Sequence, residues 1–292
     1  MKLLRYLLRN PVSLIGVLIL LAFVLVAIFA PVLAPPQEFQ MSVYDTPRAG
    51  FLATPQPPSA EAIFGTTEGQ YDIYYAVIWG GTRTAFKIGL GVVAISVLIG
   101  TLIGSVAAYY GGAVDEILMR IVDVFMAVPF LIAAMVLTAL LGKGIGPITI
   151  ALTTFGWMGY ARVIRSEILR IREMDYVHAA RSYGAGDLRL IALHILPNAF
   201  FPVLVLATMA TGSMVLSASA LSFLGVGTEE GYADWGGQFI AYSRNWIVGQ
   251  PGNPFQYWYT LVFPGAAIFL FVLSWNLVGD ALRDVLDPRH SS

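Results

Sequence analysis

Long apolar runs alternate with short polar ones along the whole chain. A hydrocarbon core of about 30 Å takes roughly 20 mostly apolar residues as helix. Six segments meet that requirement: residues 11–33, 85–109, 120–141, 146–164, 198–224 and 258–280. In lipid every backbone polar group must be paired within its own segment, so all six are predicted to be helices. The first follows Lys2, Arg5 and Arg9, as a signal peptide would. Its apolar run of about 22 residues exceeds the roughly 7–15 of a signal core, and a retained helix is expected.

What separates the runs sets the organisation. Residues 34–84 lie between the first helix and the rest, and seven of the 16 prolines fall between Pro31 and Pro58. That stretch should be extended and irregular, either a spacer or a lip for an external protein. The chain is therefore divided into residues 1–84, a helix with its extracytoplasmic loop, and residues 85–292, a five-helix domain. Gly100-x-x-x-Gly104, with Gly89 and Gly91 nearby, predicts close helix packing rather than a substrate role. The run Gly142-Lys143-Gly144-Ile145-Gly146-Pro147 predicts an antiparallel hairpin of the third and fourth helices. Trp235, Trp246, Tyr257, Trp258 and Tyr259 are expected as anchors at the membrane–water interface.

Composition agrees. Of 292 residues, 57% are hydrophobic and 12% charged. Soluble domains carry about 25% charged residues. A net charge of −1 gives no reason to expect nucleic-acid binding. The absence of cysteine excludes disulfides, thiolate metal sites and cysteine nucleophiles. With the N-terminus in the cytoplasm, twelve of the lysines and arginines fall inside. Only Arg48, Arg83, Lys87, Lys143 and Arg244 fall outside. The positive-inside rule then places both termini in the cytoplasm of a multi-pass protein of the cell (inner) membrane.

The same topology puts residues 165–197 in the cytoplasm. Arg162, Arg165, Arg170 and Arg172 extend the fourth helix, and Ile164, Ile168, Ile171, Val177 and Ala180 recur near helical spacing. The helix should turn near Met174-Asp175. Ala179-Ala180 and Tyr183-Gly184-Ala185 then present a slim surface, Asp187 is expected as an N-cap, and Pro197 is expected to end the element. A loop that only fixes topology needs arginine; it does not need a compact apolar surface, which normally marks an interface.

This loop resembles the signature of ATP-binding-cassette (ABC) import permeases. In these, Glu-Ala-Ala is followed by three residues, Gly, nine residues, and Ile-x-Leu-Pro. The match runs through Ala179, Ala180, Gly184, Leu196 and Pro197, and departs at His178 and His194. His-Ile-Leu-Pro-Asn is similar to the di-/oligopeptide and nickel branch. So are Gly65-Thr66 with Asp72 and Gly80, Tyr109-Tyr110-Gly111-Gly112, Leu221-Ser222-Phe223-Leu224-Gly225, and the run from Asn276 to Pro288. The resemblance implies an all-α integral membrane protein with a type I permease core of five helices. It implies that Tyr176, His178, Ala179, Ala180, Arg181, Ser182, Tyr183, Gly184, Ala185, Asp187 and Pro197 form a coupling loop. It also implies a second, similar permease subunit, two cytoplasmic ATPases and an extracytoplasmic solute-binding protein as partners. ATP and magnesium would be held by the ATPases. Consistently, the chain has no Gly-x-x-x-x-Gly-Lys-[Ser/Thr] loop, no His-Glu-x-x-His and no nucleophile elbow. No catalytic residue, cofactor or metal site is expected on it.

Ionisable groups in spans are costly. Asp123, Arg162 and Asp280 all fall near inner ends, where pairing among themselves or with Arg120 or Arg165 is the expected arrangement. No predicted span has a mid-membrane acid, which argues against an ion-coupled carrier. The fifth span offers Thr208, Thr211, Ser213, Ser217 and Ser219 as candidate pathway lining, with helix packing as the competing reading. The function expected is import of di- or oligopeptides. Nickel or another small solute, an ion-coupled transporter and a membrane scaffold are the rivals.

Overall fold

The computed structural model describes residues 10–37, 40–50, 52–236, 246, 253 and 255–286. Lys2, Arg5, Arg9 and Arg244, used above for orientation, Arg289, one of the twelve counted inside, and Asp287-Pro288 of the closing motif lie outside them. Among the described residues the regular structure is helical, and strand pairing is limited to isolated bridges.

Helix α1 is Pro11–Leu33. The Asn10 side chain accepts from the Val12 amide at 3.0 Å, and Pro11 supplies a preset φ at the first helical position. Only Ser13, Gly16 and Ala30 are buried, while Ile15, Leu18, Leu21 and Ile28 lie bare. An apolar helix so little covered by its own protein suits lipid. It rests on the last helix: a Cβ on Gly16 would come within 2.5 Å of Leu277 Cβ.

The second apolar segment starts earlier than predicted. Helix α2, Thr82–Tyr110, is continuous with a wide π-helical turn at Ala76–Gly81 and a first turn at Ile73–Tyr75. The Asp72 carboxylate caps that turn, accepting from Tyr74 and Tyr75 amides at 2.8 and 3.2 Å. Gly80 and Gly81 are explained by what touches them: Ala233 and the Trp235 indole occupy the space a Cβ would fill.

The third predicted span, 120–141, is not one helix. Helices α3 (Gly112–Met126) and α4 (Phe130–Leu141) meet at an 82° bend and satisfy a span's length and apolarity only together. Pro129 is the cause, because proline bars helical continuation and disfavours helical geometry in the residue before it. The fourth, 146–164, likewise resolves into α5 (Ile145–Gly156) and α6 (Met158–Ile171), divided at Trp157. Positive φ at Gly142 and Gly144 forms the α4–α5 turn, as expected.

Helices α7 (Asp175–Ser182), α8 (Leu196–Phe223) and α9 (Tyr259–Leu286) follow. Pro197 does not end an element. It opens α8, which runs on from a wide turn at Leu190–Ile195, and its missing N–H falls at the junction of the two. The Asn198 side chain donates to the His194 carbonyl at 2.7 Å across that junction.

Gly100 and Gly104 behave as predicted. A Cβ on Gly100 would lie 2.6 Å from the Trp157 carbonyl and from Tyr160 Cβ, and one on Gly104 would strike the Ala161 carbonyl and Ile164. They let α2 and α6 touch backbone to backbone. Gly89 instead faces Thr211 and Val215 of α8, and nothing lies within 4 Å of a Cβ at Gly91.

The predicted aromatic anchors are mostly core. Trp235, Tyr257 and Tyr259 are buried with Ile73, Val77 and Phe271, and only Trp258 is exposed among them. The Trp235 indole donates to the Val77 carbonyl at 3.0 Å, and Trp246 donates to Glu68 at 3.0 Å. Such polar tips find partners when buried. Apart from a single 3-10 turn at Glu68–Gln70, the described residues between 34 and 72 form no helix, as expected, but they are pinned: the Thr46 amide bonds Gly231 O, and Ala233 N bonds Tyr44 O, both at 2.7 Å.

Candidate coupling loop

Helix α6 ends at Ile171, Met174 takes an extended conformation, and α7 starts at Asp175, where the turn was predicted. The periodic apolar residues face inward. Ile164, Ile168, Ile171 and Val177 are buried with Leu190 and Ile195, and Ala180 packs against them. The apolar stripe thus holds the elbow on the bundle. Tyr176, His178, Ala179, Arg181, Ser182 and Tyr183 form the outer surface, with Tyr183 92% exposed.

The end of α7 is closed by a Schellman motif. Gly184 N bonds Arg181 O at 2.9 Å and Ala185 N bonds Ala180 O at 3.1 Å. Gly184 sits at φ +83°, the left-handed position this cap demands. Nothing lies within 4 Å of a Cβ there, so the glycine answers a backbone requirement and not a steric one. Asp187 does not cap the next turn. Gly186 occupies that position without a side-chain bond, and Asp187 is the first helical residue of Asp187–Arg189, where its charge suits the helix dipole. Its carboxylate meets the Tyr109 hydroxyl at the end of α2.

Charged contacts tie this end together. Arg162 pairs with Asp123 at 2.5 Å, as foreseen. Arg165 makes a two-pronged pair with Asp115, through Nε to Oδ1 and Nη2 to Oδ2, both at 2.5 Å. Arg172 donates to the Ala108 carbonyl at 3.1 Å, filling an acceptor in the last turn of α2. Asp280 is exposed and makes no ion pair among the described residues. Asp115 and Ala108 escaped sequence reading; four charged residues in the 15 of α3 were the available signal.

The polar residues of α8 are not gathered on one surface. Thr211 and Ser219 are buried in the bundle, Ser213 is exposed, and Thr208 and Ser217 are half-buried. Thr208, Thr211 and Ser217 each bond the carbonyl four residues back at 2.9 Å. A second polar group was missed altogether: buried Asp234 accepts from Ser222 at 3.2 Å and Thr228 at 2.9 Å, beyond the end of α8.

Residues 100–292 match the family model described as binding-protein-dependent transport system inner membrane component. The chain belongs to that family. Residues 2–58 match the N-terminal transmembrane domain of oligopeptide transport permease C. A putative peptide transport system permease protein of Brucella abortus is 40% identical over 98% of this chain and 90% of its own length. The dipeptide transport system permease protein DppC of Alkalihalophilus pseudofirmus is 35% identical over 97% of the chain and 88% of its own. The oligopeptide transport system permease protein OppC of Bacillus subtilis is 35% identical over 96% and 86%. This family member is therefore an inner-membrane permease component.

Proposed function

We propose that the chain is one membrane-spanning subunit of an ATP-driven importer of di- or oligopeptides. The α3–α4 pair and the α5–α6 pair each count as one crossing, which with α1, α2, α8 and α9 makes six, and both termini are cytoplasmic. A second permease subunit completes the pathway, and an extracytoplasmic binding protein delivers solute. Two ATPases bind ATP and magnesium, and one of them receives residues 165–197 in a surface cleft. The observation that carries this reading is the capped elbow, which holds an almost wholly exposed Tyr183 on a backbone locked to α2 and α3. Ligand-driven opening and closing of a partner can move such an element as a rigid body. Ser213 and Ser217, on the side of α8 its own bundle leaves more open, would line the shared pathway; buried Thr211 and Ser219 would not.

The chain contains no cysteine, so a single Tyr183→Cys substitution reports cleanly. Crosslinking from position 183 should capture a nucleotide-hydrolysing subunit. Proteoliposomes holding both permeases, the ATPases and the binding protein should take up dipeptide only with ATP. Uptake by this chain alone, driven by a proton or sodium gradient, would sink the proposal.

A further inference from the structure

Helices α1 and α2 enclose a groove of about 550 Å³ that is open along one side. Val24 and Ile28 line it from α1, and Phe86 and Leu90 from α2. Ile28 and Leu90 are 61% and 47% exposed. The walls are two apolar helices of spanning length, so in a bilayer the groove faces acyl chains.

One end of this groove is cationic. Arg83 and Lys87 stand one helical turn apart on α2, on the same face. Arg83 gives its Nε to the Ala27 carbonyl at 3.0 Å and lies over the Trp79 ring at 3.5 Å. Its titratable neighbours are the Tyr44 and Tyr75 hydroxyls. Lys87 donates to the Tyr44 hydroxyl and stands 4.0 Å from that ring's centre. Neither cation has a carboxylate partner among the described residues. Ala27 lies less than two turns from the Leu33 end of α1, roughly 9 Å along the axis. Long cationic side chains this close to a helix end can reach the headgroup region.

We propose that this groove binds an anionic phospholipid, its phosphate on Arg83 and Lys87 and one acyl chain between Ile28 and Leu90. The charge selects the headgroup, because unneutralised guanidinium and ammonium groups bind phosphate strongly and phosphatidylcholine carries no net charge. The apolar walls select a lipid over free phosphate. The Ala27 and Trp79 contacts hold the guanidinium in place beforehand, which lowers the ordering cost of binding. The inference needs only that α1 and α2 span a bilayer, and stands apart from the transported solute.

The test is native mass spectrometry of the full-length protein, with whatever subunits accompany it, titrated with phosphatidylglycerol or phosphatidylcholine of identical chains. Wild type should retain phosphatidylglycerol preferentially, and Lys87→Gln should lower that retention about fivefold, the effect of one basic residue at a lipid surface. Leu90→Trp keeps both cations but fills the groove, and should lower it too, so a folding defect in one variant does not decide the matter. Equal retention of the two lipids, or retention unchanged in both variants, would overturn the proposal. So would full competition by the chain-free headgroup glycerophosphoglycerol, or a photo-crosslink from position 90 that reaches another protein subunit and no lipid.

Discussion

Arg83 Nε donates to the Ala27 carbonyl at 3.0 Å because Pro31, one turn further along α1, has no N–H to offer that carbonyl. A proline inside a spanning helix leaves an acceptor in hydrocarbon that something must satisfy. Here the donor comes from α2, 56 residues away, so the break in α1 also docks it. Arg83→Gln should lower the melting temperature of the purified protein by several degrees, a loss of about 1–3 kcal/mol for an orphaned buried acceptor. In a Pro31→Ala background the restored amide takes over, and the same change should cost clearly less. Equal losses in both backgrounds would refute the link.

At the α2–α6 contact, Gly104→Ala places a methyl against the Ala161 carbonyl and Ile164 and should cost about 1–3 kcal/mol, as overpacking does. Gly91→Ala, where space is open, should be neutral or stabilising by up to about 1 kcal/mol from helix propensity. Thermal unfolding of the two variants side by side decides whether position, and not glycine as such, matters.

The Schellman cap makes a separate claim. Gly184→Ala should loosen the elbow by about 1–2 kcal/mol, the left-handed penalty for a residue with a Cβ, while Gly184→Asn should cost less. Amide hydrogen exchange at residues 183–185 measures it: faster in the alanine variant, near wild type in the asparagine one.

Asp115 and Arg165 form a two-pronged pair that is three-fifths or more buried on both sides. Asp115→Ala should destabilise by about 1.5–3 kcal/mol, the range for bonds to charged groups. The exchanged pair Asp115→Arg with Arg165→Asp should recover part of that. No recovery would mean the helix α3 contact is steric and not electrostatic.

Sequence alone resolved what depends on one segment. Residues 11–33 read as a helix because apolarity, Asn10 and Pro11 are all local. The bend at Pro129 was also locally signalled, yet an apolar count over 120–141 averaged it away. Trp235 is different in kind. Its indole meets Val77 across 158 positions of sequence, so no local pattern distinguishes it from the exposed Trp258. In the loop, the inward stripe Ile164, Ile168, Ile171 and Val177 was legible from periodicity. The roles of Asp187 and Pro197 were not, because both depend on the wide turn at Leu190–Ile195 that runs unbroken into α8. The polar residues of α8 were found as a group, but which face each takes follows from α2 and α9 packing around it.

Gly184 closes the turn from which Tyr183 projects, and Tyr183 touches almost nothing of its own chain. Shape and address are therefore written in neighbouring but independent positions. If residues 165–197 dock as proposed, exchanging the side chain at 183 would change what the elbow is recognised by while leaving the architecture of the bundle untouched.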